Sequence, residues 1–162
     1  MSTSFEDLVA ARAPALLRTA VMLTGNRADA EDLLQTTLLQ AHRHRDALVR
    51  MSAPAAYLRR ILVNAHLQGL RARGRRPTLA PALDDAPAPD PAPPPALGAM
   101  WQHLTTLPPR QRAVLVLRYY EDLPDRDIAD LLGCGESTVR STAFRALATL
   151  RERLADLPPE EL

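Results

Sequence analysis

Asp127-Ile128-Ala129-Asp130-Leu131-Leu132-Gly133-Cys134-Gly135-Glu136-Ser137-Thr138-Val139-Arg140 is the stretch that decides how this chain folds. Ile128, Leu131 and Leu132 recur at helical spacing, and two glycines then bracket a turn. Ser137 stands where the N-cap of a following helix is expected. On that helix Val139, Ala143, Ala146, Leu147, Leu150 and Leu154 form one apolar face. Thr138, Arg140, Ser141 and Arg145 fall on or near the other side, toward the helix start. Two helices joined by so tight a turn predict a helix-turn-helix within the frame Leu107–Leu154. Such a motif lays its second helix in the DNA major groove, with the N-terminal residues on base edges.

The rest of the composition predicts an all-α chain. Gly numbers only 6 in 162 residues, and Ala and Leu far outnumber Val and Ile, a balance that favours helices over strands. All 20 basic residues are Arg, the side chain suited to bidentate phosphate and guanine contacts. The single Cys excludes an intrachain disulfide, and no Cys/His group has zinc spacing. His42 and His44 stand two apart and do not share a helix face, so no metal site is expected. Cys134 occupies the turn, where a small residue suffices. No nucleophile–base pair, phosphate loop or metal set is legible, so neither catalysis nor a cofactor is expected. Arg12 and Arg18 interrupt the apolar positions of the first segment, and no apolar run approaches membrane-spanning length. The expectation is a soluble cytoplasmic protein.

A formal net charge of +1 conceals an uneven distribution. Residues 1–77 carry twelve Arg against six acids, residues 78–97 three acids and no Arg, and residues 98–162 eight Arg against ten acids. The middle segment also differs in kind. Pro77–Leu97 holds eight of the 15 prolines and almost no large apolar residue, a composition that cannot bury enough surface to fold. Extended, it spans roughly 60 Å at about 3.1 Å per residue. The predicted organisation is a domain over 1–76, a linker over 77–97, a second domain over 98–156 and a tail over 157–162.

Three helices are legible in the first domain. Ser4 caps one that carries Phe5, Leu8, Val9, Leu16, Leu17, Val21 and Leu23 and ends at Gly25. A second runs from about Ala28 to Val49 with Leu33, Leu34, Leu38 and Ala41 inward, and Asp29, Glu31 and Asp32 favourably placed in its first turn. The third opens with Ser52 as cap and Pro54 in the first turn, and carries Tyr57, Leu58, Ile61, Leu62 and Leu67. In the second domain a helix around Leu97–Thr105 precedes another from Arg110 to Tyr120, which leads into the helix-turn-helix. Trp101, Tyr119 and Tyr120 are expected in its core.

The third helix is a second candidate nucleic-acid surface. Arg59, Arg60, Asn64, Gln68, Arg71 and the Arg73, Arg75, Arg76 cluster project from it, with Tyr57 and His66 on the same helix. Arg attracts phosphate, Asn and Gln read base edges, and an aromatic ring stacks on an unpaired base. On the second helix Asp29, Asp32, Gln35, Thr36 and Gln40 form a polar strip suited to a protein partner.

Three strings carry a family resemblance. They are Asp29-Ala30-Glu31-Asp32-Leu33-Leu34-Gln35, Tyr57-Leu58-Arg59-Arg60-Ile61-Leu62-Val63-Asn64 and Leu107-Pro108-Pro109-Arg110-Gln111-Arg112-Ala113-Val114. In order and spacing they resemble bacterial RNA polymerase sigma factors of the sigma-70 family, specifically the small two-domain extracytoplasmic-function group and its actinobacterial SigE-like branch. Thr138-Val139-Arg140-Ser141 with Phe144-Arg145-Ala146 is similar to that family's promoter-reading helix. The resemblance implies two small helical domains, a region-2-like bundle and a region-4-like helix-turn-helix domain, joined by the Pro-rich flexible linker. It implies that Asp29, Asp32, Leu33, Gln35, Thr36 and Gln40 contact the clamp helices of core RNA polymerase, with the flap region as a further contact. Tyr57, Arg59, Arg60, Asn64, Gln68, Arg71, Arg73, Arg75 and Arg76 then serve the −10 element, with Asn64 near a flipped-base pocket. Ser137, Thr138, Arg140, Ser141, Thr142, Phe144 and Arg145 serve the −35 element. The linker threads toward the RNA exit path, and an anti-sigma factor is a further partner of the kind the family uses. Two departures stand out: Thr36 follows Gln35 where the family usually has Glu, and Tyr57 is the one aromatic of the melting segment. A stand-alone helix-turn-helix regulator with a sensing or dimerising first half is the alternative. A sequestering interaction protein is a third reading.

Overall fold

The structure is a computed structural model that describes residues 3–75 and 100–156. The predicted linker 77–97 and tail 157–162 lie outside the described residues, as do Arg76 and the side chains of Arg73, Arg75 and Trp101. Among the described residues there are helices and no strands, in the order α1 (Phe5–Thr24), α2 (Arg27–His42), α3 (Arg45–Leu48), α4 (Pro54–Arg75), α5 (Met100–Leu104), α6 (Pro109–Leu115), α7 (Asp125–Leu132) and α8 (Glu136–Ala155). A five-residue π-helical turn, Val116–Tyr120, continues α6. The helices fall into two compact units, the first holding α2–α4 and most of α1, the second α5–α8.

The helix ends follow local chemistry. Ser4 Oγ accepts from the Asp7 N–H at 3.1 Å while Asp7 Oδ2 accepts from the Ser4 N–H at 3.4 Å, a reciprocal cap for α1. Gly25, at φ 86°, ends it. Asn26 caps α2, its Oδ1 accepting from the Asp29 N–H and its Nδ2 donating to Asp29 Oδ2, both at 2.8 Å. The predicted single helix from Ala28 to Val49 is in fact two. α2 stops at His42, His44 leaves the helical region at φ −116°, ψ 22°, and α3 starts at Arg45. No Gly or Pro announces this break. Arg45 Nη1 supplies the partner that the terminal His42 carbonyl lacks, at 3.1 Å. α4 begins at Pro54 itself, so Ala53 rather than the expected Ser52 precedes the helix.

In the first unit α2 packs chiefly on α4. Ala30, Leu33, Thr37 and Ala41 of α2, Leu48 of α3, and Leu58, Ile61, Leu62, Val63 and Leu67 of α4 are buried. Thr37 keeps its hydroxyl satisfied by donating to the Leu33 carbonyl at 2.8 Å. In the second unit α8 lies against α6 and α7, and Val114, Leu117, Ile128, Leu132, Val139, Ala143, Ala146 and Leu150 form the core. Tyr119, expected in that core, is 59% exposed. The π-helical turn shifts the register by one residue per turn there, and the Arg118 guanidinium sits 5.8 Å from the Tyr119 ring.

Gly133 closes α7 in the left-handed conformation, φ 67° and ψ 40°, with its own N–H and that of Cys134 both donating to the Ala129 carbonyl. Space around a Cβ at Gly133 is open, so Gly133→Ala tests backbone conformation alone. It is expected to lower stability by about 1–2 kcal/mol, read as the midpoint of denaturant unfolding, with Gly133→Asn losing less. An alanine variant as stable as the parent chain rules this out.

Candidate nucleic-acid interface

The turn Gly133-Cys134-Gly135 delivers the chain into α8 two residues earlier than Ser137 would. Gly135 is the N-cap residue, in extended backbone at φ −84°, ψ 161°, and no side chain caps the helix. Glycine is tolerated there at little cost relative to Ser or Asn. The register is fixed by Val139, which is fully buried on the α7 side of the motif, and the expectation of Ser137 as cap is corrected accordingly. Ser137 instead stands exposed in the first turn, beside exposed Thr138, Arg140, Ser141, Phe144 and Arg145. Phe144 is 74% exposed, a large apolar ring held out between two arginines. Thr142, placed by the sequence reading with the DNA-facing residues, is 4% exposed and packs inward. It is one residue past Ser141 and so falls on the Val139, Ala143 and Ala146 side. Ser141 Oγ donates to the Thr138 carbonyl at 3.1 Å, which leaves its lone pairs toward solvent as acceptors.

α4 carries the second surface. Arg60, Asn64, Gln68 and Arg71 are exposed and recur at steps of four, four and three, which makes one stripe along the helix. Leu58 and Leu62 lie on the opposite side, in the core, and the buried Ile61 and Leu67 border the stripe. Arg59 and Tyr57 are half-buried at the stripe's edge. The Tyr57 ring meets His44 edge to face, centroids 6.4 Å apart and planes at 83°. His66 does not belong to the surface; it is buried with the core. His42 is likewise occupied, edge to face with Phe5 at 5.5 Å, and no metal-holding group of His, Cys, Asp and Glu occurs among the described residues.

On α2, Asp32, Gln35 and Thr36 are exposed and Gln40 half-buried, as the polar strip requires. Leu33 is buried, so it supports α2 from the core side and is not part of the outward strip. Asp29 is half-buried and engaged with Asn26. Leu39 completes the strip at the i, i+3, i+4, i+7 positions Asp32, Gln35, Thr36 and Leu39, and is 70% exposed. No helix among the described residues is long and apolar enough to cross a membrane.

Family comparison accounts for both halves. The family model for Sigma-70 region 2 matches residues 8–76, and that for Sigma-70 region 4 matches residues 97–150. The RNA polymerase sigma-E factor of Streptomyces avermitilis is 39% identical over 151 residues, covering 93% of this chain and 84% of that protein. The chain belongs to the extracytoplasmic-function group of sigma-70 factors. The ECF RNA polymerase sigma factor SigM of Mycobacterium tuberculosis is 35% identical over 155 residues, covering 95% of the chain and 79% of that protein. The solved complex of the sigma factor RpoE with the anti-sigma factor NepR from Bartonella quintana aligns with a TM-score of 0.67 at 26% identity, covering 95% of this chain and 98% of that one.

This is therefore an alternative sigma factor of transcription initiation. The region 2 match explains the first unit, which a stand-alone helix-turn-helix regulator leaves without a role. Two surface residues of this sigma factor escape a reading by motif. Leu39 carried a signal, since it is a large apolar residue off the Ala30, Leu33, Thr37, Ala41 stripe. His44 carried none, because its approach to Tyr57 depends on the unannounced break after His42.

Proposed function

We propose that this sigma factor grips a promoter at two points. In this reading α8 reads the −35 element as duplex through Ser137, Thr138, Arg140, Ser141, Phe144 and Arg145. α4 engages the opened −10 strand through Arg60, Asn64, Gln68 and Arg71, with Tyr57 and His44 offering ring edges and faces to an unstacked base. The strip Asp32, Gln35, Thr36 and Leu39 docks on the clamp helices of core RNA polymerase, and the second domain meets the flap region. The chain works in the cytoplasm and lends specificity without catalysis of its own. One observation carries the reading: each unit turns a single helix outward whose exposed stripe holds base-reading and phosphate-binding side chains, while its other face builds that unit's core.

Charge supports the division of labour. The excess of Arg lies in residues 1–77, while residues 98–162 carry eight Arg against ten acids, which leaves the duplex reader little to hold DNA by counterion release alone. Affinity then arises from seating both readers on one polymerase, where the second contact becomes intramolecular. A protein that covers the α2 strip or either stripe would silence the factor, which is the role proposed for an anti-sigma partner.

Run-off transcription with purified core polymerase over a genomic promoter library tests the whole reading: specific start sites are expected, and a folded protein that yields none refutes it. Asn64→Ala probes the −10 assignment. Permanganate footprints of unpaired thymines should weaken by about tenfold, within the range of one lost base contact, while duplex protection over −35 persists. Equal loss of both footprints removes Asn64 from the melting surface.

A further inference from the structure

We propose that Glu136 is a further specificity-determining residue of the −35 reader, accepting a hydrogen bond from a cytosine amino group beside the guanine that Arg140 engages. The inference rests on α8 being that reader.

Glu136 is the first residue of α8, with its side chain 53% exposed. Its Oε2 stands 3.9 Å from Arg140 Nη1 one turn further along, and the Arg140 side chain is 58% exposed. Gly135 in front of it has no side chain, so nothing screens the carboxylate from a groove that receives Ser137, Thr138 and Arg140. A carboxylate on a DNA-facing turn is repelled by every phosphate and by the acceptors N7, O6 and O4. It gains only where a donor meets it, and the major groove offers two, the cytosine N4 and adenine N6 amino groups. Adenine sets the N7 acceptor next to its amino group, which suits an amide better than a carboxylate. Cytosine shows its amino group without an adjacent N7. The pair formed with Arg140 sharpens the choice. A guanidinium donor fork and a carboxylate acceptor side by side are the complement of guanine O6/N7 and cytosine N4 side by side.

Glu136 also favours the helix dipole at the N-terminus of α8, a contribution that weakens every promoter equally when removed. The test separates the two. Holoenzyme is reconstituted with the parent factor, Glu136→Ala, Glu136→Gln or Arg140→Ala, and initiation is measured on promoters with each −35 base pair replaced in turn. Glu136→Ala should erase a cytosine preference on the order of ten-fold at one base-pair position and leave the others intact. Glu136→Gln should move that preference toward adenine, which an amide reads through N6 and N7. A uniform decline across all promoters, or an unchanged preference profile, overturns the proposal. If Arg140→Ala flattens a guanine position while Glu136→Ala changes none, Glu136 alone is refuted. If neither variant alters any −35 preference, the reader assignment falls with it.

Discussion

Arg112→Met is expected to destabilise the second domain by about 3 kcal/mol, on the order of 15 °C in Tm for a domain of this size. α5 ends at Leu104, where the last carbonyls of a helix lack their i+4 donors, and the Leu104 carbonyl accepts from the Leu107 N–H at 3.1 Å. Arg112, on α6, is 9% exposed and reaches back to them. Its Nε donates to the Leu104 carbonyl at 3.0 Å, and its Nη2 donates to the carbonyls of Thr105 at 2.7 Å and Leu107 at 3.2 Å. Burial lowers the pKa of the guanidinium by desolvation, a cost that these charge-assisted bonds offset. Methionine keeps most of the volume and removes every donor, stripping these carbonyls of their charge-assisted bonds. Lysine keeps the charge but cannot spread three donors in a planar fork, so Arg112→Lys should recover less than half of the loss. Hydrogen exchange resolved by helix is the measurement: amides of α6 to α8 should lose protection while those of α2 and α4 keep theirs. Unchanged protection in the methionine variant, or full recovery by lysine, contradicts this account.

That network also shows where sequence reading stops. The helix-turn-helix was legible because its apolar period, its two glycines and its outward polar residues agree at every level, and Ile128, Leu132, Val139, Ala143, Ala146 and Leu150 are all buried as that period requires. Arg112 sat inside a recognised motif, yet its inward course depends on where the α5 carbonyls end, which no spacing encodes. Thr142 and Leu33 lie off the surfaces to which the family resemblance assigned them, although the helical period had already turned Leu33 inward. A motif groups neighbours in sequence, whereas a helix separates adjacent residues by about 100°. One step along α8 or α2 therefore crosses from surface to core. Ser137 was misread because capping propensity favours Ser over Gly, while the burial of Val139 sets the actual start of the helix. The α2–α3 break and the exposure of Tyr119 go with a side-chain bond from Arg45 to the His42 carbonyl and with a π-helical turn, neither of which residue type announces. The α4 stripe was readable residue by residue, but its edge partner His44 came from another element.

The double variant Arg140→Ala/Arg145→Ala is expected to show the largest functional loss. Five residues apart on α8, the two side chains lie about 140° from each other around the axis, flanking the strip of Ser137, Ser141 and Phe144. They cannot reach the same base pair in the same way, so their contributions should be close to additive. At about 1–3 kcal/mol for each lost base contact, initiation from −35-dependent promoters should fall by roughly two to four orders of magnitude. On the proposed reading, in which the α2 strip is the main polymerase contact and the exposed α8 stripe faces DNA, core polymerase binding should stay within twofold. The salt dependence distinguishes the two modes: a residue on phosphate lowers the slope by about one when removed, whereas a residue on a base edge leaves the slope and alters sequence preference. Phe144, exposed between them, offers its ring to a thymine methyl, and Phe144→Ala should weaken preference at a single A·T pair without touching the slope. Loss of polymerase binding in step with loss of initiation would move the two arginines from the promoter to the polymerase surface, and with them the assignment of α8 as the −35 reader.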